Sequence, residues 1–299
     1  MNPNEYYAFS RRRFLASAAL GTAAAVAGPG LPNSALAAEK RWKMKLSCST
    51  ICFSKLPIEQ AIERIAKLGF ESVDIWSAHA GCPHLDDVQT RLGADGLKEV
   101  LEKNKVKLYA FSVYHGGYPK YAELLGKAGG GIAIHGCPKG GNAKELTARM
   151  KNAIESLKGE VELAEKYDSY VAVENHGGSL LNSLDSFKAF ADINKSPRLG
   201  IALAPYHLQR AKASIEEAIA ISGKHLLFFY AWQAAKGTGQ LPGVGPADCT
   251  PWIAALAKAG YQWYVNPFMH HEPEPDEMAK LMAKSCDYLN ECYAKAVPA

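Results

Sequence analysis

The chain has 299 residues, of which 48% are hydrophobic and 21% are charged, and this is enough apolar material for one large core. Such a composition excludes a disordered chain and a collagen-like chain. The formal net charge of +4 is too small to predict a nucleic-acid partner, and much of the excess lies in the first residues of the chain.

The first predicted element is a processing segment. The stretch SRRRFL at residues 10–15 matches the twin-arginine export pattern, a weakly hydrophobic Ala/Gly run covers residues 16–28, and ALA at 35–37 offers a cleavage site. We therefore expect residues 1–37 to be a twin-arginine signal peptide and the mature chain, from Ala38, to be exported to the periplasm. A membrane anchor is the alternative, but a short run of Ala and Gly spans a bilayer poorly, so no stable membrane insertion is expected after processing.

Seven cysteines remain in the mature chain, at irregular spacing and without a C-x-x-C or zinc-finger pattern. An odd number favours buried free thiols over a disulfide framework, although an oxidising compartment would permit a pair. The seven are Cys48, Cys52, Cys82, Cys137, Cys249, Cys286 and Cys292.

Beyond residue 45, short β-prone apolar runs alternate with segments of helical periodicity, the longest of which covers about 143–167. Strands that are apolar on both faces and separated by helices predict a parallel sheet covered by helices. Eight such units in about 250 residues predict a single-domain (β/α)8 TIM barrel over residues 38–299. An open doubly wound sheet is the alternative, but no G-x-G-x-x-G follows the first strand. The predicted strands are 46–53, 72–76, 106–113, 131–135, 170–174, 199–204, 226–232 and 262–266.

In such a barrel the functional residues lie at the carboxyl ends of the strands. The fifth strand ends in Glu174, and strand alternation places His176 on the same face. A buried carboxylate is costly without a partner, so Glu174 is a candidate catalytic base or metal ligand, with a salt bridge to a neighbouring loop as the structural alternative. His207 follows the sixth strand behind Pro205 and is the second candidate for both roles.

Other strand ends supply candidates for contact with a substrate. Tyr230 and Trp232 share a face of the seventh strand and suit stacking on a sugar ring, although core packing would also explain them. His270 begins a His-His-Glu cluster that a solvated loop would also explain. The full set of candidate substrate-binding residues is His84, His135, His176, Tyr230, Trp232, Gln233, Asn266 and His270.

Several phrases together resemble the xylose isomerase-like TIM barrels of the sugar phosphate isomerase/epimerase superfamily, over nearly all of the mature chain. They are AIERIAKLGFESVDIW, VAVENHGG, LGIALAPYHL, HLLFFYAWQ and LPGVGPADCTPWIAALAKAGYQWYV. In metal-dependent members the fifth strand gives a Glu, the sixth an Asp followed three residues later by a His, the seventh a His and the eighth a Glu. Here Glu174 and His207 match, whereas Ala204, Tyr230 and Asn266 stand at the other positions. The resemblance implies an exported subgroup with a degenerate metal site, in which a divalent ion (Mn, Mg, Co or Zn) is either held by the incomplete ligand set or absent.

The resemblance further implies a small-molecule carbohydrate as the substrate and proton abstraction beside its carbonyl as the reaction. This chemistry needs a base of near-neutral pKa and a group that stabilises the enediolate oxygen, roles for which Glu174 and His207 are the candidates. An isomerase, an epimerase and a lyase would all begin with this step. One alternative is a non-catalytic exported sugar-binding protein whose metal site has decayed. An AP endonuclease-like hydrolase is disfavoured, because it needs several metals and an exported protein meets little DNA.

Overall fold

A computed structural model describes residues 42–298, in which eight strands follow one another in sequence order and each pairs in parallel with the next. A parallel bridge between Leu46 and Val265 joins the last strand to the first. The predicted single-domain (β/α)8 barrel is therefore confirmed. The strands are β1 (Ser47–Ser49), β2 (Ser72–Trp76), β3 (Lys107–Ser112), β4 (Ile132–Gly136), β5 (Tyr170–Glu174), β6 (Leu199–Leu203), β7 (Leu226–Ala231) and β8 (Val265–Pro267).

Helices occupy the connections between the strands, and the longest one follows the last strand. They are α1 (Ile58–Lys67), α2 (His84–Asp87), α3 (Gly93–Asn104), α4 (Gly117–Lys127), α5 (Leu146–Ser156), α6 (Lys158–Lys166), α7 (Leu184–Ile193), α8 (Pro205–Arg210), α9 (Ile215–Ser222), α10 (Thr250–Lys258) and α11 (Pro275–Ala296). In α1 the buried side chains recur at the spacing of one helical face, which explains why this segment packs as a helix: Ile58, Ala61, Ile62 and Ile65. Over residues 42–298, no helix has the length and apolar character needed to cross a membrane.

Three predicted elements differ from their observed bounds by more than one residue at an end. The strand predicted over 46–53 is only three residues long, because Thr50–Phe53 form a 3-10 turn with all four side chains buried. The helix predicted over 143–167 is divided at Leu157, whose φ of −89° and ψ of 0° leave the helical region. The strand predicted over 262–266 begins three residues later. For Thr50–Phe53 the apolar pattern is correct for burial but does not distinguish a strand from a short turn.

The interior of the barrel is not purely apolar. The pairing of β2 with β3 shifts register between Val73 and Asp74, and fully buried polar side chains face one another across this part of the ring. Ser49 and Ser112 both donate hydrogen bonds to the Asp74 carboxylate. Because all eight strands are parallel, their carboxyl ends meet at one face of the barrel, directly above this polar interior.

The seven cysteines are free thiols in this structure, and Cys137 is the one that is partly exposed. Burial raises the pKa of the Cys82 thiol to about 12, so this group is protonated at neutral pH. Buried thiols of this kind pack as small apolar side chains.

Candidate active site

The loops that follow the strands enclose a cavity of about 640 Å³ at the carboxyl end of the barrel. This volume lies within the roughly 300–1,000 Å³ that is usual for small-molecule sites. Most of the lining side chains are aromatic rings or imidazoles, with Glu174 as a carboxylate among them. These rings belong to Trp76, His79, Tyr114, His176, Tyr206, His207, Tyr230, Trp232, Phe268, His270 and His271.

Glu174 is the last residue of β5 and reaches the cavity with only 9% of its surface exposed. Burial raises the pKa of its carboxyl to about 7, and the Tyr114 hydroxyl, which donates to Oε2 over 2.6 Å, opposes part of this rise. None of the ion pairs within residues 42–298 includes Glu174, so this part of the chain does not supply the salt bridge considered as the alternative. A carboxyl group whose pKa lies near neutral pH can both accept and return a proton.

His207 lies in the first turn of α8, which begins at Pro205 because the fixed φ of proline suits the first helical position. Its Nε2 is buried, and no residue of the described chain forms a hydrogen bond with it. Burial is the main cause that lowers the pKa of this imidazole to about 3, with smaller contributions from His176 and His270. The ring is therefore neutral at pH 7 and can offer one N–H to a developing oxyanion.

Two further imidazoles face the same space. The ring centroid of His176 lies 4.0 Å from that of His207, with the ring planes inclined by 44°. His270 packs edge-on against Trp232 and Phe268, at centroid distances of 5.3 and 4.9 Å. Burial lowers the pKa of His270 to about 4, so this ring is also neutral at pH 7. Neutral imidazoles can donate and accept hydrogen bonds, as an uncharged polyhydroxyl ligand requires.

Aromatic rings form most of the remaining wall. Tyr206 and Trp232 are stacked, with centroids 4.3 Å apart and planes 14° from parallel. Trp76 stacks on Phe268 at 5.4 Å and lies 5.0 Å from the ring of Tyr114. The Tyr and Trp rings combine an apolar face with a polar O–H or N–H group, which suits a ligand that carries both C–H faces and hydroxyl groups.

Six of the residues predicted from sequence meet in this cavity: Glu174, His176, His207, Tyr230, Trp232 and His270. The Tyr230 hydroxyl lies 3.2 Å from that of Tyr114, and the Trp232 indole N–H donates to Gln240 over 2.7 Å. The six come from different strands and loops that the parallel barrel brings to one face. Their catalytic and binding roles remain predictions.

Two of the predicted substrate-binding histidines lie outside the cavity lining. His84 is buried in α2, and its Nε2 is 2.8 Å from the carbonyl oxygen of Leu56, so it fixes a neighbouring loop. His135 points toward α6, where its Nε2 lies 3.2 Å from a carboxylate oxygen of Glu160. The next residue, Gly136, lines the cavity, and since side chains alternate along a strand, His135 faces the helices instead.

Gln233 and Asn266 also lie outside the lining, because their amides are used within the fold. Gln233 donates to the carbonyl of Leu241 over 2.8 Å and accepts from the N–H of Ala247 over 2.6 Å, which fixes the loop after β7. Asn266 is fully buried deeper in the barrel, where both ends of its amide bond to serine hydroxyls of β1, at 3.0 and 2.9 Å. These two side chains are thus internal packing groups rather than parts of the cavity wall.

The sequence analysis missed several residues in and below the cavity, and Tyr114, Trp76 and Asp74 are three of them. Tyr114, just beyond β3, forms the hydrogen bond to Glu174. Trp76 stands in the cavity wall and donates its indole N–H to Asp74 over 2.7 Å. Asp74 could have been predicted as a candidate from the sequence. It lies inside the apolar run SVDIW, and a carboxylate buried without a partner is costly there, as it is for Glu174.

The donor set does not fit the metal centre that the resemblance implies. Within residues 42–298, no three His, Cys, Asp or Glu side chains are arranged to hold a metal ion. Ala204 has no donor atom in its side chain, and Tyr230 and Asn266 already bond to neighbouring side chains. Glu174 and His207 alone supply two donors, fewer than the three or four protein ligands of a usual zinc site. Residues 42–298 therefore do not form the metal centre of that pattern.

A sequence model of the xylose isomerase-like TIM barrel family matches residues 62–292. No curated protein sequence matches the chain. Among solved structures, the chain is similar to 3-keto-D-glucoside 4-epimerase from E. coli, with 15% identity, coverage of 82% of this chain and 100% of that one, and a TM-score of 0.63.

Two further solved structures show the same likeness. A D-tagatose 3-epimerase-like protein has 16% identity, coverage of 85% of this chain and 98% of that one, and a TM-score of 0.66. The IolI protein with a bound zinc atom has 15% identity, coverage of 86% and 100%, and a TM-score of 0.65. At such identities the likeness shows the fold, and the family follows from the sequence model. The chain belongs to the xylose isomerase-like TIM barrel family.

Proposed function

We propose that this protein is an enzyme that abstracts a proton beside the carbonyl of a keto-sugar, as an isomerase, an epimerase or a lyase. The observation that carries the proposal is the Glu174 carboxyl, which lies in the wall of an aromatic cavity with its pKa raised by burial to about 7. A general base is most effective when its pKa lies near the working pH, so a pKa of about 7 suits proton abstraction at neutral pH. The family and the sugar epimerases among the similar folds support the substrate class, and a 3-keto-glucoside is the first candidate.

In the first step, the ionised Glu174 carboxylate takes a proton from the carbon beside the keto group. The electron pair of the broken C–H bond forms a carbon–carbon double bond, and the carbonyl electrons move to the oxygen, giving an enediolate. Tyr114 holds Oε2, which leaves Oε1 as the oxygen for the substrate. The neutral His207 imidazole has no hydrogen-bond partner at Nε2 within the described residues, so it is the candidate donor to the enediolate oxygen.

The second step distinguishes the three reaction types. Return of the proton to the opposite face of the same carbon gives an epimer, and its return to the neighbouring carbon gives an isomer. Departure of a substituent from the carbon beyond the double bond gives the product of a lyase. All three outcomes share the abstraction step, so a test of that step tests the proposal.

The test is deuterium exchange. The purified protein is mixed with a 3-keto-glucoside in D2O, and proton NMR follows the hydrogens beside the keto carbon. We expect exchange well above the protein-free rate, and we expect Glu174→Gln to abolish the increase. Binding of the sugar without any increase in exchange would contradict the proposal that the protein is an enzyme. It would favour the sugar-binding alternative, which the incomplete set of metal ligands also supports.

We also propose export through the twin-arginine pathway. Residues 1–37 lie outside the described part of the chain, so the support is the sequence pattern SRRRFL with its Ala/Gly run and ALA cleavage site. A double Arg11→Lys, Arg12→Lys variant should accumulate as unprocessed precursor in the cytoplasm, because the pathway recognises the arginine pair. Cell fractionation with immunoblotting measures this, and Arg13→Lys is the matched control. Normal processing of the double variant would contradict the assignment.

A further inference from the structure

A second cavity, of about 350 Å³, adjoins the main cavity at the loops that follow β4 and β5. Lys139 lines both cavities, so the two are continuous at this residue. We call the second cavity the β4–β5 groove. The two loops contribute Pro138, Lys139 and Leu180 to it, and one face of α5 contributes Arg149, Asn152, Ala153 and Ser156.

The main cavity is open on the side of this groove. Aromatic rings form most of its wall elsewhere, whereas the ends of β4 and β5 contribute glycines, among them Gly136 and Gly178. A Cβ atom added at either position would meet no protein atom within 4 Å. A ligand beside Glu174 can therefore extend over these glycines toward Lys139.

Hydrogen bonds hold the two loops together as a short antiparallel ribbon. The N–H of Gly140 donates to the carbonyl oxygen of Gly178 over 2.8 Å, and the N–H of Leu180 donates to that of Pro138 over 2.7 Å. A Cβ atom at Gly140 would lie 2.7 Å from the carbonyl oxygen of Ser179, so this close pairing requires a glycine. The groove is thus formed before a ligand enters, which lowers the entropy cost of binding.

The groove carries two cations without acidic partners. None of the ion pairs within residues 42–298 includes Lys139 or Arg149. The Nη2 atom of Arg149 donates to the carbonyl oxygens of Lys139 and Gly140, over 2.9 and 3.1 Å. Its buried Nε has no hydrogen-bond partner among the described residues. The fold therefore fixes this guanidinium at the groove and leaves its charge unpaired.

The position of Lys139 indicates which part of a substrate it would contact. Gly136 pairs with Glu174 across β4 and β5, and Lys139 follows three residues later. Three residues of extended chain span about 10 Å. An anionic group bound at Lys139 would therefore lie beyond the sugar ring that reacts at Glu174, on the aglycone, which is the group that a glycoside carries on its sugar ring.

We propose that the β4–β5 groove binds the aglycone of the substrate and that this aglycone carries an anionic group, either a carboxylate or a phosphate. This inference rests on the proposed function, because the keto-sugar ring has to occupy the main cavity beside Glu174. Lys139 and Arg149 bind the anionic oxygens, and the planar guanidinium suits both kinds of anion. The site is thus divided into an aromatic part for the reacting ring and a cationic part for its substituent.

The test compares three 3-keto-glucosides whose aglycone is a phenyl ring that carries no charge, a carboxylate or a phosphate. Deuterium exchange beside the keto carbon gives KM for each compound. We expect KM to be at least about tenfold lower for an anionic compound than for the neutral one, and the better of the two anionic compounds identifies the anion. Salt at about 1 M should reduce this preference, because the screening length falls to about 3 Å. Equal KM values for all three compounds would overturn the proposal.

Variants without the charges test where the anion binds. Lys139→Gln and Arg149→Gln should each lower the preference roughly threefold or more, and the double variant should abolish it. The matched control is Lys236→Gln, which removes an exposed lysine from the loop after β7, outside the lining of both cavities, and should leave the preference unchanged. Lys139 is exposed, so its replacement is informative even if Arg149→Gln loosens the ribbon. A preference that persists in the double variant would refute binding in this groove.

The measurements also separate this inference from the proposed function. Exchange with the neutral compound but without a preference for the anionic ones would refute the anionic aglycone alone. Exchange with none of the three would refute the proposed function, and calorimetry with the corresponding unoxidised glucosides would then test the groove by itself. The anionic glucosides should bind more tightly than the neutral one to wild type but not to Lys139→Gln, and equal affinities in wild type would refute the groove as well.

Discussion

Replacement of Glu174 with glutamine should lower kcat strongly while keeping the shape of the site. Glutamine has the same length, and its amide oxygen can still accept the hydrogen bond from Tyr114, which spans 2.6 Å in the native protein. It has no carboxylate to take up a proton. Loss of a general base usually lowers the rate by about 10²–10⁴-fold, so we expect kcat to fall within that range.

The same substitution should stabilise the fold at alkaline pH. The carboxyl of Glu174 has a pKa of 4.5 without the fold and about 7 in the folded protein, because burial disfavours its ionised form. A difference of about 2.5 units at about 1.36 kcal/mol per unit means that ionisation reduces the stability of the folded protein by about 3 kcal/mol. Because the pKa of Glu174 is higher in the folded protein, these roughly 3 kcal/mol of stability are present below pH 4.5 and are lost as the pH rises to about 7. Glutamine avoids the loss because it does not ionise.

Thermal unfolding at pH 4 and pH 8 tests this expectation. At roughly 2–4 °C per kcal/mol, the variant should unfold about 6–12 °C above wild type at pH 8 and close to wild type at pH 4. The matched control is Glu160→Gln, which removes a carboxylate paired with His135 and should gain no stability at pH 8. A lower midpoint for Glu174→Gln at pH 8, together with full turnover, would show that Glu174 is a structural carboxylate.

Three further outcomes follow from the site. Because Glu174 must be ionised to accept a proton, kcat/KM should rise as the pH increases through about 7 and then level off. An inflection near pH 4.5 in the rate profile would contradict this expectation. Tyr114→Phe removes a hydrogen bond that favours the ionised carboxyl, so the inflection should move upward by roughly one to two pH units, and an unmoved profile would mean that the bond does not act on Glu174. Asn266→Glu places a carboxylate at a fully buried position, so the unfolding midpoint should fall and calorimetry should show no gain in Mn²⁺ affinity. Tight Mn²⁺ binding by the variant would mean that position 266 faces the cavity.

The architecture could be predicted from sequence because its signals are local. Apolar runs that alternate with helical periodicity predict a covered parallel sheet, and eight of them in about 250 residues favour a barrel. The same argument placed Glu174 and His207 at one face, since all strands of such a barrel end there. Spacing along the chain alone could not show which way each side chain points. His135 is an example: Gly136 lines the cavity, so the side chain of His135 faces the helices and lies beside Glu160.

The contacts between distant parts of the chain could not be predicted. Tyr114 and Glu174 are 60 residues apart, and their hydrogen bond depends on how far β3 and β5 extend above the ring. The bond from Ser112 to Asp74 depends on the register of β2 against β3, which shifts just at Asp74. No period or local motif encodes such a shift, because it is set by packing around the whole ring.

Two departures of this chain from the metal-dependent pattern that the resemblance implies lie close to buried carboxyl groups. Tyr230 stands where that pattern has a histidine, and its hydroxyl lies 3.2 Å from the hydroxyl of Tyr114. Asn266 stands where the pattern has a glutamate, and it donates to Ser49, which donates to Asp74. Two positions of that pattern are therefore occupied by neutral side chains that are already hydrogen-bonded, Tyr230 beside the partner of Glu174 and Asn266 beside the partner of Asp74. A single carboxylate restored at position 266 would meet partners that are already satisfied, which is the physical reason to expect a loss of stability there rather than a recovered metal site.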